Sequence, residues 1–281
     1  MAALRPLANS RVEVRVSCAA ANVKAASCGD RVRLSESVRV GLCAGEFRIA
    51  FQPIIHAQTQ MLDSVECLLR WQHPRYGLLL PDTFKDAFDD PVVAHEVTRS
   101  VLDTVCRQLG ELKQAGCPLP SVAINIQPSQ LLGDQLVNQI VAATGRYGIE
   151  PSLLNLEIVE NEEALQLLML RQFTEPLRDI GVGLALDDFG TGYSSLAVLA
   201  RASIDSVKLA REFLGPAMLQ RSDRTMRLVK NIITLLDELG LKTIVEGVET
   251  REQRVWLSQY PGIRLQGYYV GKPTYDFPMQ A

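Results

Sequence analysis

Seven short apolar runs in this sequence end on, or beside, a residue able to hold a cation or move a proton. Glu66 follows Ser64-Val65, Asn125 sits between Ile124 and Ile126, and Glu157 lies within Asn155-Leu156-Glu157-Ile158 with Glu160 just beyond. Asp187 and Asp188 close Leu184-Ala185-Leu186. Lys208 ends Ile204 to Val207, Glu246 ends Thr243-Ile244-Val245, and Gln266 follows Arg264-Leu265. One acidic residue in such a place is ordinarily a solvated edge or a helix N-cap. Six carboxylates with two amides and a lysine are different, because gathered at one mouth the carboxylates repel at a cost that cations relieve. An oxygen donor set selects hard ions such as Mg2+ or Mn2+. Adjacent aspartates suit two ions about 3.5–4 Å apart sharing one carboxylate, which points to two-metal catalysis.

The elements that must position these residues follow from periodicity. Apolar runs at 47–54, 61–69, 122–126, 153–158, 182–186, 204–208, 243–245 and 263–265 predict strands. Between most of them, apolar residues recur at helical spacing: Val97, Val101, Leu102, Val105, Leu109 and Leu112, then residues 131–141, 163–177, 226–239 and 252–257. Eight strands with intervening helices predict an α/β fold, a (β/α)8 TIM-like barrel, whose strand ends share one catalytic face. Only His56 to Gln60 joins the first two strands, too short for a parallel crossover, so the first strand is expected to run antiparallel. The barrel is assigned to residues 34–281 and an extension of unknown role to 1–33, where Val12 to Val16 alternates as a strand would.

Composition narrows the function classes. The chain has 281 residues, 47% hydrophobic and 22% charged, with a net charge of −3, so there is no basic footprint for a nucleic-acid duplex. No apolar run approaches the ~20 residues of a membrane span, and no apolar leader follows Arg5 and Arg11. Cys18, Cys28, Cys43, Cys67, Cys106 and Cys117 form no CxxC pair, as expected of a reducing, cytoplasmic compartment. Residues 187–196 (Asp-Asp-Phe-Gly-Thr-Gly-Tyr-Ser-Ser-Leu) read either as an N-cap with flexible glycines or as a loop adjusting an ion's ligands.

The motifs Gln52-Pro53-Ile54, Glu66-Cys67-Leu68-Leu69-Arg70-Trp71, Ile124-Asn125-Ile126 and Leu156-Glu157-Ile158-Val159-Glu160 occur in order. They continue as the Asp187-Asp188 loop, Lys208, Glu246-Gly247-Val248-Glu249-Thr250 and Gln266-Gly267-Tyr268. Over residues 34–275 the chain resembles the EAL-domain cyclic di-GMP phosphodiesterases. The resemblance implies hydrolysis of cyclic di-GMP to linear pGpG by two-metal activation of water, with two Mg2+ or Mn2+ ions per site. It implies a first ion held by Glu66, Asn125, Glu157 and Asp187, and a second by Asp187, Asp188 and Glu246. Lys208 and Glu246 are implied to be catalytic, the latter as general base, together with Glu66. Gln52, Leu68 and Arg70 are implied to contact the dinucleotide, Gln266 to orient water or ligand, and Glu160 and Glu249 to support the loop after Asp188. A homodimer formed beside that loop is also implied.

Some positions depart from the family pattern. Cys67 stands for the signature alanine, Val159 for a threonine, and Ala210 for an aspartate two residues after Lys208. Phe84 to Asp90 also differs. None removes an implied metal ligand. The alternative is a weak or inactive domain of the same kind that binds cyclic di-GMP as a receptor. Trp71 is expected to pack beneath the mouth rather than to stack on a ligand.

Overall fold

In the computed structural model the described residues are 28–192, 196–215 and 223–278. The strand expected at Val12 to Val16 lies outside them. Helix α1 (Cys28–Cys43) runs through the expected boundary at residue 33 and buries Val38. Strands β1 (Phe47–His56) and β2 (Leu62–His73) form a long antiparallel ribbon in which Gln52 pairs with Glu66 and Phe51 with Cys67. The tight link between them is closed by hydrogen bonds from His56 N to Met61 O (2.9 Å) and from Gln60 N to His56 O (3.0 Å). A short strand not foreseen, β3 (Gly77–Leu79), adds to the far end of β2.

Alternating units follow: α2 (Pro91–Gln114), β4 (Ser121–Ile126), α3 (Gln135–Tyr147), β5 (Leu154–Val159), α4 (Glu162–Leu168), α5 (Arg171–Asp179) and β6 (Gly183–Phe189). The chain continues through α6 (Leu196–Leu199), β7 (Ser206–Leu209), α7 (Asp223–Glu238), β8 (Lys242–Val245), α8 (Arg251–Leu257) and β9 (Arg264–Leu265). The single helix expected over 163–177 is two, because the chain turns at Met169 and Leu170 before α5 begins.

The strand order β1-β9-β8-β7-β6-β5-β4-β2, closed by β1 on β2, makes a ring of eight with β3 outside it. Pairs from β2 through β9 in that ring are parallel, and β1 is antiparallel to both neighbours. The strands are apolar because both faces are covered, by helices outside and by interior side chains within. Val65, Val122, Leu154, Leu156, Leu184, Val207 and Val245 are all wholly buried. Trp71 is buried against Phe47 and Phe84, with ring centroids 5.0 and 5.8 Å away, and its indole N–H donates to Glu46. It packs, as expected. Cys43, Cys67, Cys106 and Cys117 are unpaired thiols.

Candidate metal centre

Parallel strands carry their C-terminal residues to one end of the barrel, and there the polar residues of the sequence meet. The fully buried Lys208 of β7 sends its ammonium into their midst. Its Nζ lies 2.7 Å from Glu246 Oε1, 3.0 Å from Glu157 Oε2, 3.1 Å from Asp187 Oδ1 and 3.3 Å from Glu66 Oε2. Asn125 donates its amide to Glu66 (2.9 Å) and, more weakly, to Glu157 (3.5 Å). Gln266 donates to Glu66 Oε2 at 2.6 Å and to Gln52 Oε1 at 3.4 Å. Six strands and the segments that follow β8 and β9 thus converge on one cluster.

Adjacent residues of a regular strand face opposite ways, so Asp187 and Asp188 should not share a target. Here β6 is irregular: its register with β7 shifts between Leu186 and Phe189, and Asp188 takes φ +55°, a left-handed conformation that aspartate tolerates. The result is that Asp187, Asp188 and Glu246 each present a carboxylate oxygen within 4.8 Å of the others. Beyond the bulge, Glu160 accepts a hydrogen bond from Gly190 N at 2.9 Å. Gly190 has φ +96°, and a Cβ there would lie 2.4 Å from the Phe213 ring, so glycine is required on both counts.

The electrostatics of the cluster are those of too much negative charge in too little water. Burial lowers the affinity of Lys208 for its proton, but Asp187, Glu157, Glu246 and Glu66 outweigh it and hold the ammonium protonated well above its usual range. Burial pushes Glu66 upward too, yet Lys208, Gln266 and Asn125 together bring it below the ordinary carboxylate value. Glu157 is pushed well above that value by burial, then by Glu66, Asp187 and Glu246 against the pull of Lys208. Glu246 rises to about 7 through burial, with Lys208 opposing and Asp187 and Glu66 adding to the rise. Burial, then Asp187, raises Asp188.

Two observations fit divalent cations to these residues. The donors are all oxygen, the kind that hard ions select. Moreover Glu157 Oε1 is buried without a hydrogen-bond partner, an expensive arrangement that a cation resolves.

Residues 35–273 match the family model of the EAL domain. The chain belongs to the EAL domain family. This EAL domain is 34% identical over 242 residues to the cyclic di-GMP phosphodiesterase NbdA of Pseudomonas aeruginosa, covering 86% of the chain and 31% of that protein. To the oxygen sensor protein DosP of Escherichia coli it is 30% identical over 250 residues, covering 87% of the chain and 30% of DosP. The chain therefore spans roughly a third of each of these relatives. Among solved structures, the PaMucR phosphodiesterase in complex with c-di-GMP is 32% identical and superposes with a TM-score of 0.76, over 86% of this chain and 97% of that one. The (β/α)8 class read from the sequence is thereby established.

Other residues named from the sequence lie around this centre. Gln52, Leu68 and Arg70 share one face of the β1–β2 ribbon with Glu66, and Gln52 also donates to Gly271 O at 3.2 Å. Ala210 is wholly buried at the end of β7 and brings no polar group to Lys208. Glu249 is exposed, and what holds its segment is its backbone N–H, donated to Gln253 Oε1 at 2.7 Å. Gln253 is a residue that sequence reasoning missed. Buried, it closes a capping box with Thr250 and donates to Leu214 O at 2.8 Å, tying the segment after β8 to the one after β7. The Thr-x-x-Gln spacing was the available signal.

Among the described residues, no helix is long and apolar enough to cross a membrane.

Proposed function

We propose that this EAL domain hydrolyses cyclic di-GMP to linear pGpG with two divalent cations, Mg2+ or Mn2+. The observation that carries the reading is the complete oxygen donor set gathered around Lys208, with no implied ligand replaced. Glu66, Asn125, Glu157 and Asp187 would hold one cation, and Asp187, Asp188 and Glu246 the other. Such ions supply Lewis acidity, easing the loss of a proton from water and offsetting phosphate charge.

The protein's own groups divide the remaining work. Lys208, protonated, donates hydrogen bonds to the attacking water or the phosphoryl oxygen and is not the base. Glu246, which lies 2.7 Å from Lys208 and also faces the second cation's place, would take the water's proton. The water oxygen forms a bond to phosphorus as the bond to the 3′ oxygen breaks, and the 3′ oxygen takes a proton from solvent, which opens the ring and leaves pGpG. Gln266 fixes Glu66 and Gln52, while Leu68 and Arg70 bind the dinucleotide, the arginine adding positive charge. Glu160 supports the loop after Asp188 through Gly190, and Glu249 belongs to the same support through the segment that Gln253 holds. Homodimerisation beside that loop belongs to the same reading, and light scattering tests it.

The deciding experiment incubates the purified protein with cyclic di-GMP and Mg2+ or Mn2+, with a chelator control, and separates the products. Cation-dependent pGpG is expected. Binding without turnover would leave a receptor; neither would point to a different barrel hydrolase.

A further inference from the structure

The ligands proposed for the two cations are held in different ways. Glu66, Asn125, Glu157 and Asp187 lie in the regular parallel ladder, at the paired positions Glu66–Ala123, Asn125–Glu157 and Val159–Asp187. Asp188 and Glu246, which complete the second set, do not. Asp188 falls in the register slip between Leu186 and Phe189. Glu246 stands one residue past the last β7–β8 pair, Leu209–Val245, with its N–H still donated to Leu209 O at 3.0 Å. How these two stand to each other therefore depends on what lies between their loops, which is the short 3-10 turn Arg211–Leu214 after β7. Its half-buried Phe213 lays its ring on Gly190, two residues after Asp188. Its Arg211 backs onto Gly247, one residue after Glu246, where φ is +69° and a Cβ would overlap the arginine Cα and Cβ. The buried Leu214 accepts a bond at its carbonyl from Gln253 Nε2 (2.8 Å), which ties the far end of the turn to the segment after β8. Phe213 N donates to Ala210 O at 3.1 Å, so the residues touching the two loops belong to one hydrogen-bonded unit.

Given the two-cation reading above, on which this rests, we infer that Phe213 is a positioning residue for the second cation alone. Through the Arg211–Leu214 turn it sets the spacing of Asp188 and Glu246. Asp188 takes a left-handed conformation that strand pairing does not enforce, so its carboxylate stays within reach of Glu246 only while the loop beyond it is gripped. The grip is two-sided at Gly190: Glu160 accepts its N–H, and the Phe213 ring covers the face where no side chain stands. Removing the ring leaves the Glu160 bond and takes away the other restraint. Glu66, Asn125, Glu157 and Asp187 keep their ladder partners whatever the turn does, so the first cation is spared.

The test titrates the metal-free full chain with Mn2+ by calorimetry, beside Phe213→Ala, Phe213→Leu and Gln253→Ala. Melting temperature and the Mn2+ dependence of pGpG release are read on the same samples, and Glu66→Ala marks which binding event belongs to the first cation. The original chain should show two events. Phe213→Ala and Gln253→Ala should weaken the other event by about 10- to 100-fold, the range for groups that orient metal ligands from outside, and raise the Mn2+ needed for half-maximal turnover to match. The event marked by Glu66→Ala should stay within about threefold, and Phe213→Leu, which keeps apolar bulk on Gly190, should leave both near the original. An unchanged isotherm in Phe213→Ala, while the original chain binds two cations and releases pGpG, would overturn the inference and leave the enzyme reading intact. Equal weakening of both events with a lower melting temperature would overturn it as well, marking the turn as structural. Where Phe213→Ala does not fold, Gln253→Ala decides by the same readings. If the original chain binds two cations without turnover and Phe213→Ala loses one, the positioning role stands and the hydrolase reading falls. If the original chain binds fewer than two, both fall.

Discussion

Lys208 Nζ lies 2.7 Å from Glu246 Oε1, and that contact joins the buried ammonium of the site to a carboxyl pushed up to about 7. Three further carboxylates stand within 3.3 Å of the same ammonium. Without divalent ions, Lys208 is what keeps Glu66, Glu157, Asp187 and Glu246 together. Under the proposed reading, divalent ions would give the same carboxylates stronger partners and leave the ammonium free to meet substrate.

That dual position predicts the behaviour of Lys208→Met. Removing one partner of a buried ion pair typically costs 3–5 kcal/mol, so the metal-free variant should lose about 3 kcal/mol of stability. Mg2+ or Mn2+ should then stabilise the variant more than the original protein. Urea unfolding with and without cation measures both; a variant as stable as the original without metal would contradict the role.

Glu66→Ala removes a carboxylate that engages Lys208, Asn125 and Gln266 at once. Turnover should fall by at least about 100-fold, the upper end of what even outer partners of a metal site cost. Cation affinity, followed by calorimetry, should weaken with it. Near-full activity would remove Glu66 from the first ion's ligands.

Glu160→Ala acts at one remove, through the bond it accepts from Gly190 N. Activity should drop about 10- to 100-fold while the barrel stays folded, because what loosens is the loop that holds Asp188 in its left-handed turn. Circular dichroism melting alongside the product assay separates this from global damage. Raising the cation concentration should recover part of the loss.

The pH dependence of the metal-free protein follows from the raised carboxyls. Glu246 titrates at about 7 rather than 4.5, so folding favours its protonated form. That contribution is fully present below about pH 4.5 and is lost as pH rises through 7. Glu157 and Asp188 move in the same direction. Glu66, held low, opposes them only in acid, where its contribution is lost as pH falls. Chelated protein should therefore melt at a lower temperature at pH 8 than at pH 5.5, and added Mn2+ should abolish most of the difference. A melting temperature independent of pH, with and without cation, would count against the charged cluster.

Much of this was legible in the chain alone. The eight ring strands, their parallel order and the reversed first strand follow from apolar runs, helical spacing and a link too short to cross over. These are local facts, and local spacing records them. The polar residues at strand ends were equally visible, because a barrel brings such ends to one mouth whatever its helices do. Two things were not visible. Alternation would have turned Asp187 and Asp188 apart, and only the register slip beside β7 with the left-handed Asp188 aims both at Glu246. No spacing announces that Lys208 would stand among four carboxylates, because that depends on strands distant in sequence closing into a ring. Sequence determined which residues reach the mouth, since strand periodicity is written in neighbours. Tertiary structure decided which of them touch, since contact and shared charge arise only when the barrel closes.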